Sequence, residues 1–364
     1  LRRTLLGVAP DPAGRLAALG AEPGEYDLFL ADQLAEERYC APMARPDVVI
    51  GPQGPRFVEF NVGSAVGGIV ETSVVGAVLQ RRWDDRFRCE RPFDGIAAMF
   101  QGLGARSLAV VSLLADVTYD ATSTRYFDLI TGHLGRAGMA AEYFEPDQLP
   151  AGRFPFAMRH FTLVDARRLG VDIEPVRAAI EAGCLLVSTE TGELIGNKKV
   201  LAWASEGRPW LTAADRELVD RYLPWTREVR DGPVWWRGGR HDLPALLLSR
   251  QAELVLKRGH GQCGLQVRIG RDTGAAQWAT AVEEALAAGD SVVQEFVPAG
   301  RCRQRLFDLA SGEAFDAVVA PVLSPYLFDG RTIGCMVRYF PSGQAGVIGC
   351  DGFGAQLNVA ARAA

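Results

Sequence analysis

Leu254-Val255-Leu256-Lys257-Arg258-Gly259-His260-Gly261-Gln262-Cys263-Gly264-Leu265-Gln266-Val267-Arg268-Ile269 sets two alternating apolar segments on either side of a glycine loop. Residues 253–257 and 265–269 read as strands. The loop matches G-x-G-x-x-G, a pattern found in dinucleotide-binding folds, but that version needs a helix directly after the glycines so that its N-terminus faces the pyrophosphate. Strand-like alternation after Gly264 argues for a flap between two strands instead. Glycine permits positive φ and close approach, so backbone N–H groups of such a flap can close over phosphate oxygens. An ordinary hairpin with glycines serving only turn geometry is the alternative. Lys257, two residues upstream, places an ammonium beside the cradle and favours the phosphate reading.

Lysine is rare in this chain. Of 39 basic residues only Lys198, Lys199 and Lys257 are lysines, which raises the question of what a compact ammonium does at these places that a planar guanidinium cannot. Upstream, Glu59-Phe60-Asn61 lies on a strand-like segment, where residues i and i+2 share a face. Val48-Val49-Ile50 and Phe57-Val58-Glu59-Phe60 flank Gly51-Pro52-Gln53-Gly54-Pro55, which reads as a hairpin or tight loop. Asp47 would then join Glu59 and Asn61. Three oxygen donors suit Mg²⁺, which is bound by one or two carboxylates together with nucleotide phosphates. A solvent-facing strand edge is the alternative, disfavoured by the apolar neighbours Phe57, Val58, Phe60 and Val62, among which an uncompensated carboxylate is costly.

Composition narrows the function classes. The chain has 364 residues, 48% hydrophobic and 23% charged, with formal net charge −5, the profile of a globular protein of two or three packed units. No run of Lys and Arg gathers the charge that nucleic-acid binding requires, so nucleic acid is not an expected partner. The longest apolar stretches, 69–79 and 108–115, fall short of the roughly 20 residues a membrane span needs. With Asp11, Pro12 and Arg15 interrupting the N-terminal apolar residues, the expectation is a cytoplasmic protein. Seven scattered cysteines form no C-x-x-C pair and four histidines no H-x-x-x-H pair, so zinc and thiol-exchange chemistry are not indicated.

Along the chain, residues 26–39 read as an amphipathic helix, and a small-residue loop 62–68 leads into a helix at 69–80. From 106 to 190, strands at 107–111 and 139–144 and a helix at 124–135 begin an alternation that Leu163-Val164, 176–182 and Leu185-Leu186-Val187 continue, the pattern of a three-layer parallel unit. Beyond Asn197, helices at 198–205, 215–222 and 275–288, a buried strand at 291–297, and an antiparallel meander from 304–308, 314–321 and 335–340 make an α+β region. The last residues, 355–364, read as frayed.

Arg45-Pro46-Asp47, Glu59-Phe60-Asn61, Asn197-Lys198, and Lys257 with the glycine loop resemble, in order and local spacing, the circularly permuted ATP-grasp ligases. The synthetase domain of glutathionylspermidine synthetase is the best-known example. In that family the metal-binding E-x-N strand precedes the lysines, the reverse of ordinary ATP-grasp enzymes. The resemblance covers about two thirds of the chain. It implies an α+β / α/β ATP-grasp fold in permuted order, with a metal-binding lobe at 1–100, an α/β pre-ATP-grasp-like domain at 101–190, and ATP-binding lobes with flap and hinge at 191–364. It implies ATP and Mg²⁺ as cofactors, with Asp47, Glu59 and Asn61 as metal ligands. Arg45 matches an arginine beside the reacting phosphoryl group, and Arg338 a late arginine on the γ-phosphate. Lys198, with Lys199 adjacent, and Lys257 match the lysines on the phosphates, with Gly259, Gly261 and Gly264 in the flap. Gln294, Glu295, Phe296 and Val297 resemble the hinge strand that meets adenine and ribose.

The chemistry implied is ADP-forming amide-bond formation between small-molecule carboxylate and amine partners through an acyl phosphate. No stretch matches the amidase domain of the bifunctional synthetases, so glutathione and spermidine are not implied as substrates. A kinase of the same fold, a non-catalytic nucleotide-binding subunit and an NAD-dependent oxidoreductase are the alternatives; the last requires a helix after Gly264.

Overall fold

The computed structural model describes residues 1–83, 86–117, 123–261, 266–307, 311–342 and 354–363. Among these residues, its mixed α/β architecture is built on three larger sheets and three two-stranded ones. The middle of the chain forms a parallel sheet in the order Ala140–Phe144, Ser107–Ser112, Phe156–His160, Leu185–Val187. Its central strand is a continuous apolar run because helices cover both faces. Leu108 and Val110 pack with Phe93, Ile96, Phe100, Phe127 and Ile130 on one side. Ala109 and Val111 pack with Leu163, Ala166, Val176 and Ala179 on the other. The alternation read from sequence is present, with one difference. Leu163-Val164 opens the helix Leu163–Leu169, which Thr162 caps by accepting the Asp165 N–H. The strand is the preceding Phe156–His160.

The two ends of the chain share one antiparallel sheet in the order Gln356–Val359, Arg331–Tyr339, Val322–Phe328, Met43–Gly51, Gly54–Val62. The hairpin Met43–Gly51/Gly54–Val62 turns through Pro52-Gln53, and the turn closes on Gly54 at φ +97°, which a side chain would strain. Residues 356–359, read from sequence as frayed, are paired with Arg331–Tyr339 along one edge. A second antiparallel sheet, in the order Val267–Ile269, Leu254–Arg258, Ser291–Glu295, Thr226–Glu228, packs one face on the helices Leu243–Ser249 and Ala275–Ala288. The segment 191–364 therefore feeds both antiparallel sheets. Among the described residues, no helix is long and apolar enough to cross a membrane.

Two readings change near the N-terminus and the flap. Only Gln33–Arg38 of the 26–39 segment is helical: the Asp32 carboxylate accepts the N–H groups of Leu34 and Ala35 and starts the helix there. The preceding residues give backbone N–H groups to buried carboxylates instead, Leu28 to Glu190 and Leu30 to Glu36, each at 2.9 Å. The strand expected over 265–269 spans Val267–Ile269 among the described residues. Gly264 lies outside them. Among the described residues the first regular element after the loop is thus a strand, not the helix that a dinucleotide fingerprint demands.

Candidate functional site

Cross-strand register gathers the candidate metal ligands. In the N-terminal hairpin Arg45 pairs with Asn61 and Asp47 with Glu59. Directly paired residues and residues two apart share a face, so these four side chains form a square on one face of the sheet. A register shift between Asp47 and Val48 interrupts the ladder immediately beyond it, and pairing resumes at Val48 with Phe57.

Each corner of the square is held by charge or hydrogen bonding. The buried Asp47 carboxylate meets Arg338 at 2.7 Å, accepts the Ser324 hydroxyl at 2.8 Å, and lies 3.9 Å from Arg45 Nε. Burial works against its charge, but the Arg338 and Arg45 guanidinium groups and these hydrogen bonds hold its carboxyl below the usual range. Arg45 Nη1 donates to the Gly67 carbonyl at 2.6 Å, and its buried Nε has no hydrogen-bond partner among the described residues. Asn61 Nδ2 donates to the Arg45 carbonyl at 3.0 Å, which turns the amide oxygen away from that bond. Glu59 pairs with Lys198 at 2.9 Å.

The two expected lysines converge on the strand Gly54–Val62, Lys198 from the start of a helix and Lys257 from the other antiparallel sheet. Lys198 opens the helix Lys198–Glu206, whose cap Asn197 accepts the Lys199 N–H. Lys198 Nζ lies between Glu59 and the Gly261 carbonyl, both at 2.9 Å. Lys257 Nζ donates to the Val58 carbonyl at 2.9 Å and to Gln294 Oε1 at 2.8 Å. Burial pushes its pKa down to about 8; Glu59 and Asp47 pull it up, and Lys198 adds to the depression. Lys199 points elsewhere: its Nζ donates to the Leu19 carbonyl at 3.0 Å, at the C-terminal end of the helix Pro12–Leu19, where a cation is favoured. The adjacent lysines thus have separate placements.

The remaining candidates divide. Gly259 and Gly261 sit where the loop leaves its strand, with the Gly259 carbonyl accepting the Lys198 N–H at 2.8 Å. The Gln294 side chain is used within the protein, between Lys257 and Thr226 Oγ1. Glu295 is paired with Arg237, which also binds Glu253. The buried strand expected over 291–297 ends at Glu295, and the Phe296 N–H is given to the Glu253 carbonyl at 2.8 Å. Glu295, Phe296 and Val297 line a cavity of about 480 Å³ together with the hairpin turn, Trp225 and Arg227. The lysines and metal-ligand candidates lie outside that cavity.

Sequence reasoning missed Ser324, which bridges Asp47 and Arg338, with the Arg338 guanidinium donating to its hydroxyl at 3.1 Å. It also missed Thr226, which completes the hydrogen bonding of Gln294. Both are single hydroxyls without a motif, and only strand pairing brings them to the site. Among the described residues no group of three or more His, Cys, Asp or Glu side chains is placed to hold a metal ion by itself. The oxygen set is two carboxylates and one amide, which fits a hard, water-retaining cation such as Mg²⁺ and does not fit zinc.

No family model and no curated protein matches the chain. Among solved structures it is similar to an apo glutathione synthetase-like effector from Globodera pallida, with 9% identity over 90% of this chain and 75% of that one, at a TM-score of 0.50. A putative gamma-glutamylcysteine synthetase from Methylobacillus flagellatus aligns at 13% identity over 98% of this chain and 86% of that one, at a TM-score of 0.48. At such identities the first likeness is one of fold, shared with a protein described as glutathione synthetase-like.

Proposed function

We propose that the protein is an ADP-forming carboxylate–amine ligase of the circularly permuted ATP-grasp type. The observation that carries this reading is the convergence just described: Arg45, Asp47, Glu59 and Asn61 share one hairpin face, and that hairpin is met by Lys257 from a second sheet and by Lys198 from the start of a helix. Two sheets facing each other across paired acids and ammonium groups suit a triphosphate with its divalent ion. On this reading residues 1–100 supply the metal-binding lobe, 101–190 the pre-ATP-grasp-like unit and 191–364 the ATP-binding lobes, with the strands Val322–Phe328, Arg331–Tyr339 and Gln356–Val359 returning to the first lobe's sheet. Glu295, Phe296 and Val297 then receive the nucleoside end.

Asp47, Glu59 and Asn61 would hold the magnesium ion, which supplies charge neutralisation at the β- and γ-phosphate oxygens. The chain's own residues do the rest. Lys198 and Lys257 exchange their protein oxygens for phosphate oxygens. Arg45 and Arg338, fixed through Asp47, offset charge on the transferring group. The substrate carboxylate oxygen attacks the γ-phosphorus, the bond to ADP breaks, and an acyl phosphate forms. The amine then attacks the carbonyl carbon, phosphate leaves, and the amine loses a proton. The glycine loop shields the acyl phosphate from water. No side chain acts as nucleophile.

Amino acids, short peptides or specialised-metabolite intermediates are the substrates we propose to screen. ADP release is measured over carboxylate and amine pairs with Mg²⁺, and conjugates are identified by mass. ADP release that needs both partners supports the ligase. A phosphorylated product without need for an amine would make it a kinase, and nucleotide binding without turnover a binding subunit.

A further inference from the structure

The glycine loop is also held from a side that the proposed chemistry does not use. Gly259 enters the loop between two backbone partners, its N–H donating to the Asp290 carbonyl and its carbonyl accepting the Lys198 N–H. A Cβ there would come within 2.8 Å of the Asp290 carbonyl oxygen and 2.9 Å of the Asn197 side-chain oxygen, so only glycine permits this approach. The next residue, His260, turns toward the N-terminal segment. Its Nδ1 lies 3.0 Å from the Tyr26 phenol oxygen, with the rings edge to face at 5.8 Å.

Tyr26 is a fixed point. It is buried and packs in the cluster of Leu5, Leu16, Leu194 and Trp203. The chain after it is tied down by the bonds from Leu28 to Glu190 and from Leu30 to Glu36, and both glutamates are fully buried. A glycine-rich loop has much conformational freedom to lose when it closes on phosphates. Pinning its second residue removes part of that loss beforehand.

We propose that Tyr26 is a positioning residue for the glycine loop: through His260 it fixes the loop's entry so that the Gly261 carbonyl meets the Lys198 ammonium. Its consequence for nucleotide rests on the ligase reading. Because the anchor acts on loop order and touches no reacting atom, its effect falls on nucleotide affinity and not on the chemical step.

Tyr26→Phe keeps the packed ring and removes the hydroxyl. In nucleotide-free protein, amide exchange of residues 260 and 261 is expected to quicken about threefold to tenfold, the net worth of one neutral hydrogen bond, with residues 254–258 unchanged. The KM for Mg-ATP should rise by the same factor while kcat stays within about twofold. Adding Tyr26→Phe to His260→Ala should change nothing further. Unchanged exchange in Tyr26→Phe, or additive effects of the two substitutions, would overturn the anchor. The exchange experiment contains no nucleotide, so absence of ATP turnover in the wild type would count against the ligase reading and leave the anchor judged by exchange alone.

Discussion

Lys257 makes the proposed nucleotide site sensitive to pH in a way that can be counted in protons. Its ammonium is buried, and its pKa in the free protein is lowered to about 8. A triphosphate favours the charged form, so the bound state keeps the proton to higher pH. At pH 8 the free lysine is about half protonated, and binding should take up about 0.5 proton; at pH 9 the uptake should approach 0.9, and at pH 7 fall to about 0.1. Apparent affinity should weaken about tenfold, or about 1.4 kcal/mol, from well below pH 8 to pH 9. Calorimetric titration of Mg-ATP at each pH in two buffers of different ionisation enthalpy measures the uptake directly. Lys257→Met, assayed at raised nucleotide concentration, should show none. Tight binding with no uptake at pH 8 and 9, or uptake that survives Lys257→Met, would refute the placement of this ammonium on the phosphates.

Three further outcomes follow from the same geometry. Asp47→Asn removes the carboxylate charge that the buried Arg338 meets at 2.7 Å and should cost about 3–5 kcal/mol in urea unfolding at pH 7; because the native Asp47 pKa is depressed, its contribution is present above the unfolded value of about 3.9 and is lost as pH falls through the native one. Lys199→Met should lose about 1.5–3 kcal/mol of stability through the Leu19 carbonyl and keep nucleotide affinity, while Lys198→Met should weaken Mg-ATP binding at least about tenfold by calorimetry. Glu59→Gln should lower ADP release by about a hundredfold or more with the circular-dichroism melt preserved, since its pair with Lys198 is partly solvent-exposed.

Much of this arrangement is local enough to be read from sequence. Alternation marks the strands that carry Glu59, Asn61 and Lys257, and Gly and Pro mark the turn that pairs Asp47 with Glu59. Apolar strands and helices in alternation mark the parallel sheet. What sequence could not give depends on contacts between distant segments. Val322–Phe328 joins the N-terminal hairpin, and that pairing alone brings Ser324 to Asp47. The 26–31 stretch has helical periodicity but is kept extended by carboxylates 6 and 162 residues away in sequence. Lys198 and Lys199 are neighbours in the chain, and only the direction of the helix start sends one to Glu59 and the other to Leu19.

The central claim is that one divalent ion and two ammonium groups grip a single triphosphate. It is tested most directly by a crystal structure with Mn²⁺ and a non-hydrolysable ATP analogue, read through the manganese anomalous signal. One peak is expected within about 2.3 Å of oxygens from Asp47, Glu59 and Asn61, with phosphate oxygens at hydrogen-bond distance from Lys198 Nζ and Lys257 Nζ. Manganese bound elsewhere, or a triphosphate that meets neither lysine, would contradict it.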